Sequence, residues 1–135
     1  MVKSQETVQL IKHATQARKF ARAKFSGFRV GAALETPAGK IITGCNVESS
    51  SYGLTICAER VALTKALSEN IVDFSRIAIV GPHGDFCPPC GACRQLLYDY
   101  APELMIVLWN GTETRTYLLK DLLPVAFEAS KLSKK

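Results

Sequence analysis

The sequence predicts a protein of the α/β class, a mixed five-stranded sheet covered by helices. Three observations carry that expectation. Apolar stretches follow one another in the order helix, hairpin, helix, strand, helix, hairpin, helix. Turn residues mark both hairpins, Pro37-Ala38-Gly39-Lys40 in the first and Asn110-Gly111 in the second. The 135 residues, 47% of them hydrophobic, hold no repeat and no linker, which suits a single domain over residues 1–135.

Each element has a local reason. Ser4 can cap a first helix with Glu6 in its opening turn, and Leu10, Ala14, Ala17 and Ala21 recur at helical spacing, with Phe20 and Phe25 widening the stripe. Phe25-Ser26-Gly27-Phe28 breaks that helix. Val30, Ala32 and Leu34 then alternate as a strand, and a second strand over residues 41–47 returns after the turn. Beyond a polar loop, Thr55 can cap a helix over 56–67 whose Val61, Ala62, Ala66 and Leu67 face the sheet, with Cys57 in its first turn. A β-branched strand over 76–80 leads through Gly81-Pro82-His83-Gly84-Asp85 to Cys90 and Cys93, which open a helix running to about Tyr100. Residues 104–109 and 114–118 flank Asn110-Gly111 with a two- or three-residue turn, and Pro124 begins a last short helix.

Charge excludes little. Of 17 basic residues, nine lie near the ends (Lys3, Lys12, Arg18, Lys19, Arg22, Lys24, Lys131, Lys134 and Lys135), without interleaved aromatic stacking platforms. A nucleic-acid groove is therefore disfavoured despite the net charge of +5. The N-terminus lacks an apolar signal core and no apolar run is long enough to span a bilayer, so no membrane partner is expected and the cytoplasm is the expected location. His13 and His83 read as surface histidines.

The cysteines say more. Five of them, an odd number without a secretion signal, argue for metal thiolates over a disulfide framework. Cys57-Ala58-Glu59-Arg60 joins a potential ligand to a carboxylate, and Pro89-Cys90-Gly91-Ala92-Cys93-Arg94-Gln95 supplies two sulfurs at a spacing that lets both reach one tetrahedral ion. Cys87-Pro88-Pro89-Cys90 offers a competing register by the same rule, and Cys45 reads as a small buried hydrophobe. Three ligands leave one position open, the mark of a catalytic metal site. Three thiolates against a dication leave the cluster about one unit negative, which helix N-termini and Arg60 can offset. Arg60 lies three residues after Cys57, on the same helix face. Glu59, two residues after Cys57, is rotated by roughly 200° on an ideal helix and reaches the ion only if the open position lies off the helix start. Asn46 and Glu48, two apart at a strand end, point to one side and suit hydroxyl groups.

With both motifs present, the sequence resembles the small cytidine deaminases that bind zinc through three cysteines. The resemblance runs from Phe25 to Phe127 and implies a three-layer α/β/α fold, one zinc ion per chain and a homotetramer. It implies hydrolysis of cytidine and 2′-deoxycytidine to uridine and 2′-deoxyuridine plus ammonia. By the same resemblance Cys57, Cys90 and Cys93 are the ligands, Glu59 shuttles protons, Arg60 supports the ligand sulfurs, and Phe28, Asn46, Glu48, Ala58 and Phe127 contact the nucleoside, Phe127 from a neighbouring chain. Departures are mild: Ser49 and Ser50 replace Asn and Ala, Pro88 a frequent Ser, and Phe25 a frequent Tyr. Three readings compete with this one: a related deaminase acting on blasticidin S, against which Glu48 argues; a nucleic-acid-editing deaminase, against which the cysteine first ligand and the lack of an aromatic, basic channel argue; and a zinc-stabilised binding module, which a fourth ligand from Cys87 would support.

Overall fold

A computed structural model of the chain describes residues 2–132. Helix α1 (Val2–Arg18) begins ahead of the expected cap, so Ser4 lies inside its first turn. Leu10, Ile11, Ala14 and Ala17 form its buried stripe, and Ala21 continues it. Phe20 and Phe25, expected on that stripe, are exposed. The helix end explains Phe20: Lys19, Phe20 and Ala21 bond the carbonyls three residues back, which tightens the winding and moves it out of phase, while Phe25 lies past the helix in a turn closed by Gly27 N–H on the Ala23 carbonyl.

Strands β1 (Gly31–Glu35), β2 (Ile41–Cys45), β3 (Arg76–Val80), β4 (Met105–Trp109) and β5 (Thr114–Leu118) form one sheet in the order β2-β1-β3-β4-β5. All neighbours are antiparallel except β3 and β4, which run parallel, as a helical crossover between them requires. Helices α2 (Ala58–Ser68) and α3 (Gly91–Tyr100) cover one face and α1 the other. On the α1 face Ala33, Ala78, Val80 and Val107 pack with Leu10 and Ala14. On the opposite face Ala32, Leu34, Ile77, Ile79, Ile106 and Leu108 pack with Ala62, Leu63, Ala66 and Leu97. The layers are thus α/β/α, and β1 and β3 are buried on both faces, which is why they read as nearly continuous apolar runs. Each large aliphatic side chain buried here contributes about 1.5–3 kcal/mol.

Several local expectations shift. Strand β2 stops at Cys45, two residues early, because Val47 leaves the ladder to bridge Arg22 and Ile56. On α2 the inward residue is Leu63, with Val61 turned toward the groove beside β2. Between β4 and β5 the connection has four residues rather than two or three: Asn110 and Glu113 close it backbone to backbone at 3.2 Å, and the Asn110 side chain accepts from Thr112 and Glu113 N–H. The last α-helix, α4 (Leu119–Leu122), precedes Pro124 instead of following it. Leu123, the residue before proline, sits at φ −140°, ψ 66°, outside the helical region that the proline ring disfavours. A 3₁₀ turn, Ala129–Leu132, ends the described chain.

Two glycines set how closely the helices approach the sheet. A Cβ on Gly31 would stand 2.0 Å from the Ala14 carbonyl oxygen, and one on Gly44 would stand 2.5 Å from Ala62 N and 2.6 Å from Ala58 O. These contacts are backbone to backbone, so no rotamer change relieves them. Gly31→Ala is expected to lower stability by about 3 kcal/mol or more, the upper end of overpacking costs, measured by urea unfolding. Gly53→Ala, where nothing lies within 4 Å, should change it by less than about 0.5 kcal/mol.

Candidate metal centre

Cys57 and Cys90 are the N-caps of α2 and α3, both in extended backbone, and Cys93 lies in the first turn of α3. Cys57 is therefore not inside a helical turn as its spacing predicted; it stands just before one. Neither cap side chain bonds the helix start, which leaves both sulfurs free for another role. The Cys57 and Cys90 sulfurs are 4.0 Å apart, those of Cys90 and Cys93 3.5 Å, and all three lie within 4.8 Å of one another. A tetrahedral zinc ion with bonds of about 2.3 Å to sulfur spaces its ligands about 3.8 Å apart. The donor set fits zinc in chemistry and in spacing. Among the described residues no fourth His, Cys, Asp or Glu joins this group. Cys87, the competing register, is instead packed against Gly81, on the side where the Phe28 ring also approaches, and burial pushes its thiol up to about 11. Cys45 is half-buried beside the same edge groove as Val61.

The group's electrostatics follow from its crowding. Arg60 Nη2 lies 3.5 Å from Cys57 Sγ and 3.4 Å from the Thr55 carbonyl oxygen, as its helical spacing predicted, while its buried Nε has no partner. A hydrogen bond from the Cys93 thiol, followed by Arg60's donation and charge, pulls Cys57 down to about 5 despite burial. The same bond, burial and the nearby Glu59 charge hold the Cys93 proton far above the usual thiol range. The two shifts are one event: the first proton leaves the pair readily, and the second would put two thiolates together in a poorly solvated place. Only a cation removes that penalty.

Glu59 is 4% exposed. Burial first of all, then the Cys57 thiolate, pushes its carboxyl up to about 7, against the lowering pull of its own backbone N–H and of Arg60. The 200° difficulty disappears because Cys57 has extended angles of φ −70° and ψ 154°, so ideal helical rotation does not apply between the two residues. A buried carboxyl poised near neutrality beside free thiols is suited to exchanging protons.

The residues expected to contact substrate form a second cluster. Phe28 is 48% exposed and therefore not a core aromatic. Asn46, 7% exposed, accepts from Val30 N–H at 2.9 Å and donates to the Phe28 carbonyl at 2.8 Å. Glu48 accepts from Phe25 N–H, Ser26 N–H and the Ser26 hydroxyl, and these bonds lower its carboxyl pKa, the Ser26 hydroxyl most. Asn46 and Glu48 thus reach the same loop, as their spacing predicted, and brace it. Sequence reasoning missed Ser26, whose only local signal was a short polar side chain between two aromatics. It also missed the clasp on the C-terminal segment: Arg94 donates to the carbonyls of Pro89 and Leu122 at 2.7 Å, and Gln95 donates to the Phe127 carbonyl at 3.2 Å. Phe127, 52% exposed, lines a cleft with Tyr98, Lys120 and Lys131 that includes none of the three cysteines. Between the clasp points Val125 sits at φ +51°, a strained conformation for a β-branched residue. His83 lies 3.1 Å from Arg18 and edge-on to Trp109, and His13 bonds the Gln9 carbonyl; neither joins the sulfur group.

The chain is similar to known proteins in sequence and in fold. A family model describing the cytidine and deoxycytidylate deaminase zinc-binding region matches residues 4–108. A cytidine deaminase from Halalkalibacterium halodurans is 44% identical, the match covering 92% of this chain and 96% of that protein. The crystal structure of cytidine deaminase from Burkholderia pseudomallei superposes with a TM-score of 0.85 at 47% identity, covering 89% of this chain and 98% of the other. A blasticidin-S deaminase from Bacillus cereus is more distant, 32% identical over 92% of this chain and 94% of its own length.

Because Cys93 holds its proton in the metal-free chain, zinc binding should release it. Titration at pH 7 in two buffers of different ionisation enthalpy is expected to show at least one proton released per ion. Affinity should fall about tenfold per pH unit for each proton released as pH is lowered. Binding without proton release would remove Cys93 from the ligand set.

Proposed function

The chain belongs to the cytidine and deoxycytidylate deaminase family, and from that membership we propose that it hydrolyses cytidine and 2′-deoxycytidine to uridine and 2′-deoxyuridine, releasing ammonia. The observation that carries this reading is a buried Glu59, its carboxyl held near neutrality, beside three converging thiols with no fourth ligand among the described residues. A purely structural zinc site needs neither feature, which weighs against the binding module.

Cys57, Cys90 and Cys93 would hold the zinc. When bound, the ion supplies the nucleophile by lowering the pKa of a water in its open position. The protein's own groups do the rest. Phe28 covers the nucleoside with its exposed ring, and the Asn46–Glu48 side of the loop reads the sugar. Ala58 is the first residue of α2, where a helical N–H has no carbonyl four residues back to bond, so Ala58 N–H is available to the carbonyl oxygen of the base. Glu59 takes a proton from the attacking water and passes it to the ring nitrogen beside the amine-bearing carbon. It then carries a second proton to the exocyclic amine, which departs as ammonia as the ring carbonyl forms. Arg60 and the starts of α2 and α3 offset the charge of three thiolates throughout.

We also assign a homotetramer. Phe20, Phe25, Tyr52, Leu54 and Val125 are large apolar side chains left in solvent, more than an isolated small domain usually exposes. The clasp on the C-terminal segment holds Phe127 outward, in position to complete a neighbour's pocket. Five free cysteines, three of them grouped as metal ligands, suit a reducing cytoplasm, and no described helix is long and apolar enough to cross a membrane.

Ammonia release from cytidine, 2′-deoxycytidine, free cytosine and blasticidin S tests the reaction. Both nucleosides should turn over, cytosine poorly because the polar groups meant for the sugar stay unpaired. Turnover of blasticidin S alone would move the chain to that subgroup. Glu59→Gln is expected to keep its zinc and lose about 10²- to 10⁴-fold in kcat, and metal analysis that found the zinc gone as well would give Glu59 a different role.

Mixing two defective chains tests the assembly. Glu59→Gln and Phe127→Ala chains, each inactive alone, should regain activity once their subunits exchange, since some sites then pair an intact Glu59 with a neighbour's intact Phe127. A monomer by light scattering, or no recovery despite proven exchange, would refute the assignment.

A further inference from the structure

The loop bearing Phe28 is joined to Asn46 and Glu48 by one small side chain. Ser26 donates its hydroxyl proton to Glu48 Oε2, and Ser26 Oγ accepts from Phe28 N–H at 3.0 Å. Glu48 Oε1 is filled by Phe25 N–H at 2.9 Å and Ser26 N–H at 3.0 Å. On its other side the Phe28 carbonyl accepts from Asn46 at 2.8 Å. The backbone of Phe28 is therefore held at both ends by the residues assigned to the sugar, and the link to Glu48 runs through the Ser26 hydroxyl.

Counting acceptor sites gives this network a consequence. A carboxylate offers about four lone-pair directions, two per oxygen. Three are occupied here, both on Oε1 and one on Oε2. One remains, on the oxygen whose direction Ser26 sets. Asn46, almost wholly buried, spends one lone pair of its oxygen and one N–H of its amide on the loop backbone and keeps one of each, so the limit of one free acceptor site is that of the carboxylate.

We propose that Ser26 is a specificity-determining positioning residue: its hydroxyl leaves Glu48 a single, aimed acceptor site, so Glu48 reads one sugar hydroxyl. This rests on the nucleoside reading of Glu48 above. The hydroxyl is the one on the sugar ring that cytidine and 2′-deoxycytidine share, at the 3′ carbon. By the same count Glu48 has no acceptor site left for the 2′ hydroxyl.

Ser26→Thr and Ser26→Val compare side chains of nearly equal shape, with and without the hydroxyl. The substrates are cytidine and 2′,3′-dideoxycytidine, with zinc content and thermal unfolding recorded for every variant. Ser26→Val should raise KM for cytidine about tenfold, the scale of one hydrogen bond to a charged group. It should leave kcat within about threefold and hardly change kcat/KM for the dideoxynucleoside. Ser26→Thr should restore the cytidine KM. Equal losses on both substrates, a loss in kcat alone, or failure of Ser26→Thr to rescue would overturn the proposal. Glu48→Ala separates the two levels. If it fails to narrow the gap between the substrates, the reading of Glu48 falls and Ser26 with it; if it narrows the gap while Ser26→Val does not, only the Ser26 proposal falls.

Discussion

The rest of the site depends on two helices beginning side by side at one end of the sheet. Cys57 and Cys90 are caps, so the sulfur positions are set by where α2 and α3 start. The backbones around Gly44 fix where α2 lies, because any side chain there would collide with Ala58 and Ala62. Arg94, bonded to the Pro89 carbonyl just before Cys90, ties the second start to the body of α3. The sulfur positions thus rest on packed backbone, which deforms little.

That geometry also creates the electrostatic problem that makes the site useful. Three thiols and a carboxyl brought together, with Cys93 and Glu59 buried, resist losing all their protons, as the rise at Cys93 and Glu59 records. Each element nearby favours negative charge: two helix N-termini and the Arg60 guanidinium. The balance leaves one thiol ionised early and one carboxyl near neutrality, so cation capture and proton exchange come from the same crowding.

Around this rigid centre the outer residues are held by hydrogen bonds rather than by core packing. The loop with Phe28 hangs on Asn46, Glu48 and Ser26, and the segment with Phe127 hangs on Arg94 and Gln95. Both aromatics stay half exposed. Directional bonds allow a side chain to be presented to a partner, whereas burial would consume it.

Much of this was legible in the sequence. Apolar periodicity located every strand to within two residues, and the cysteine spacing left two registers of which the family resemblance preferred Cys57, Cys90 and Cys93, the group the fold brings together. These signals are local, carried by side-chain alternation and by ligand reach within one turn. The misreadings were local too: Phe20 fell out of phase where α1 tightened, Phe25 lay past the helix in a turn, and Pro124 ended a helical region rather than starting one. What the sequence alone determined was the fold class and the chemical group. The tertiary structure alone decided that Cys57 is a cap and Glu59 its buried neighbour, that Cys87 stays outside the sulfur group, and that Ser26 links Glu48 to Phe28. Each of these depends on where separate elements meet in space, and no spacing along the chain encodes the burial, crowding and shared acceptors that arise at such a meeting.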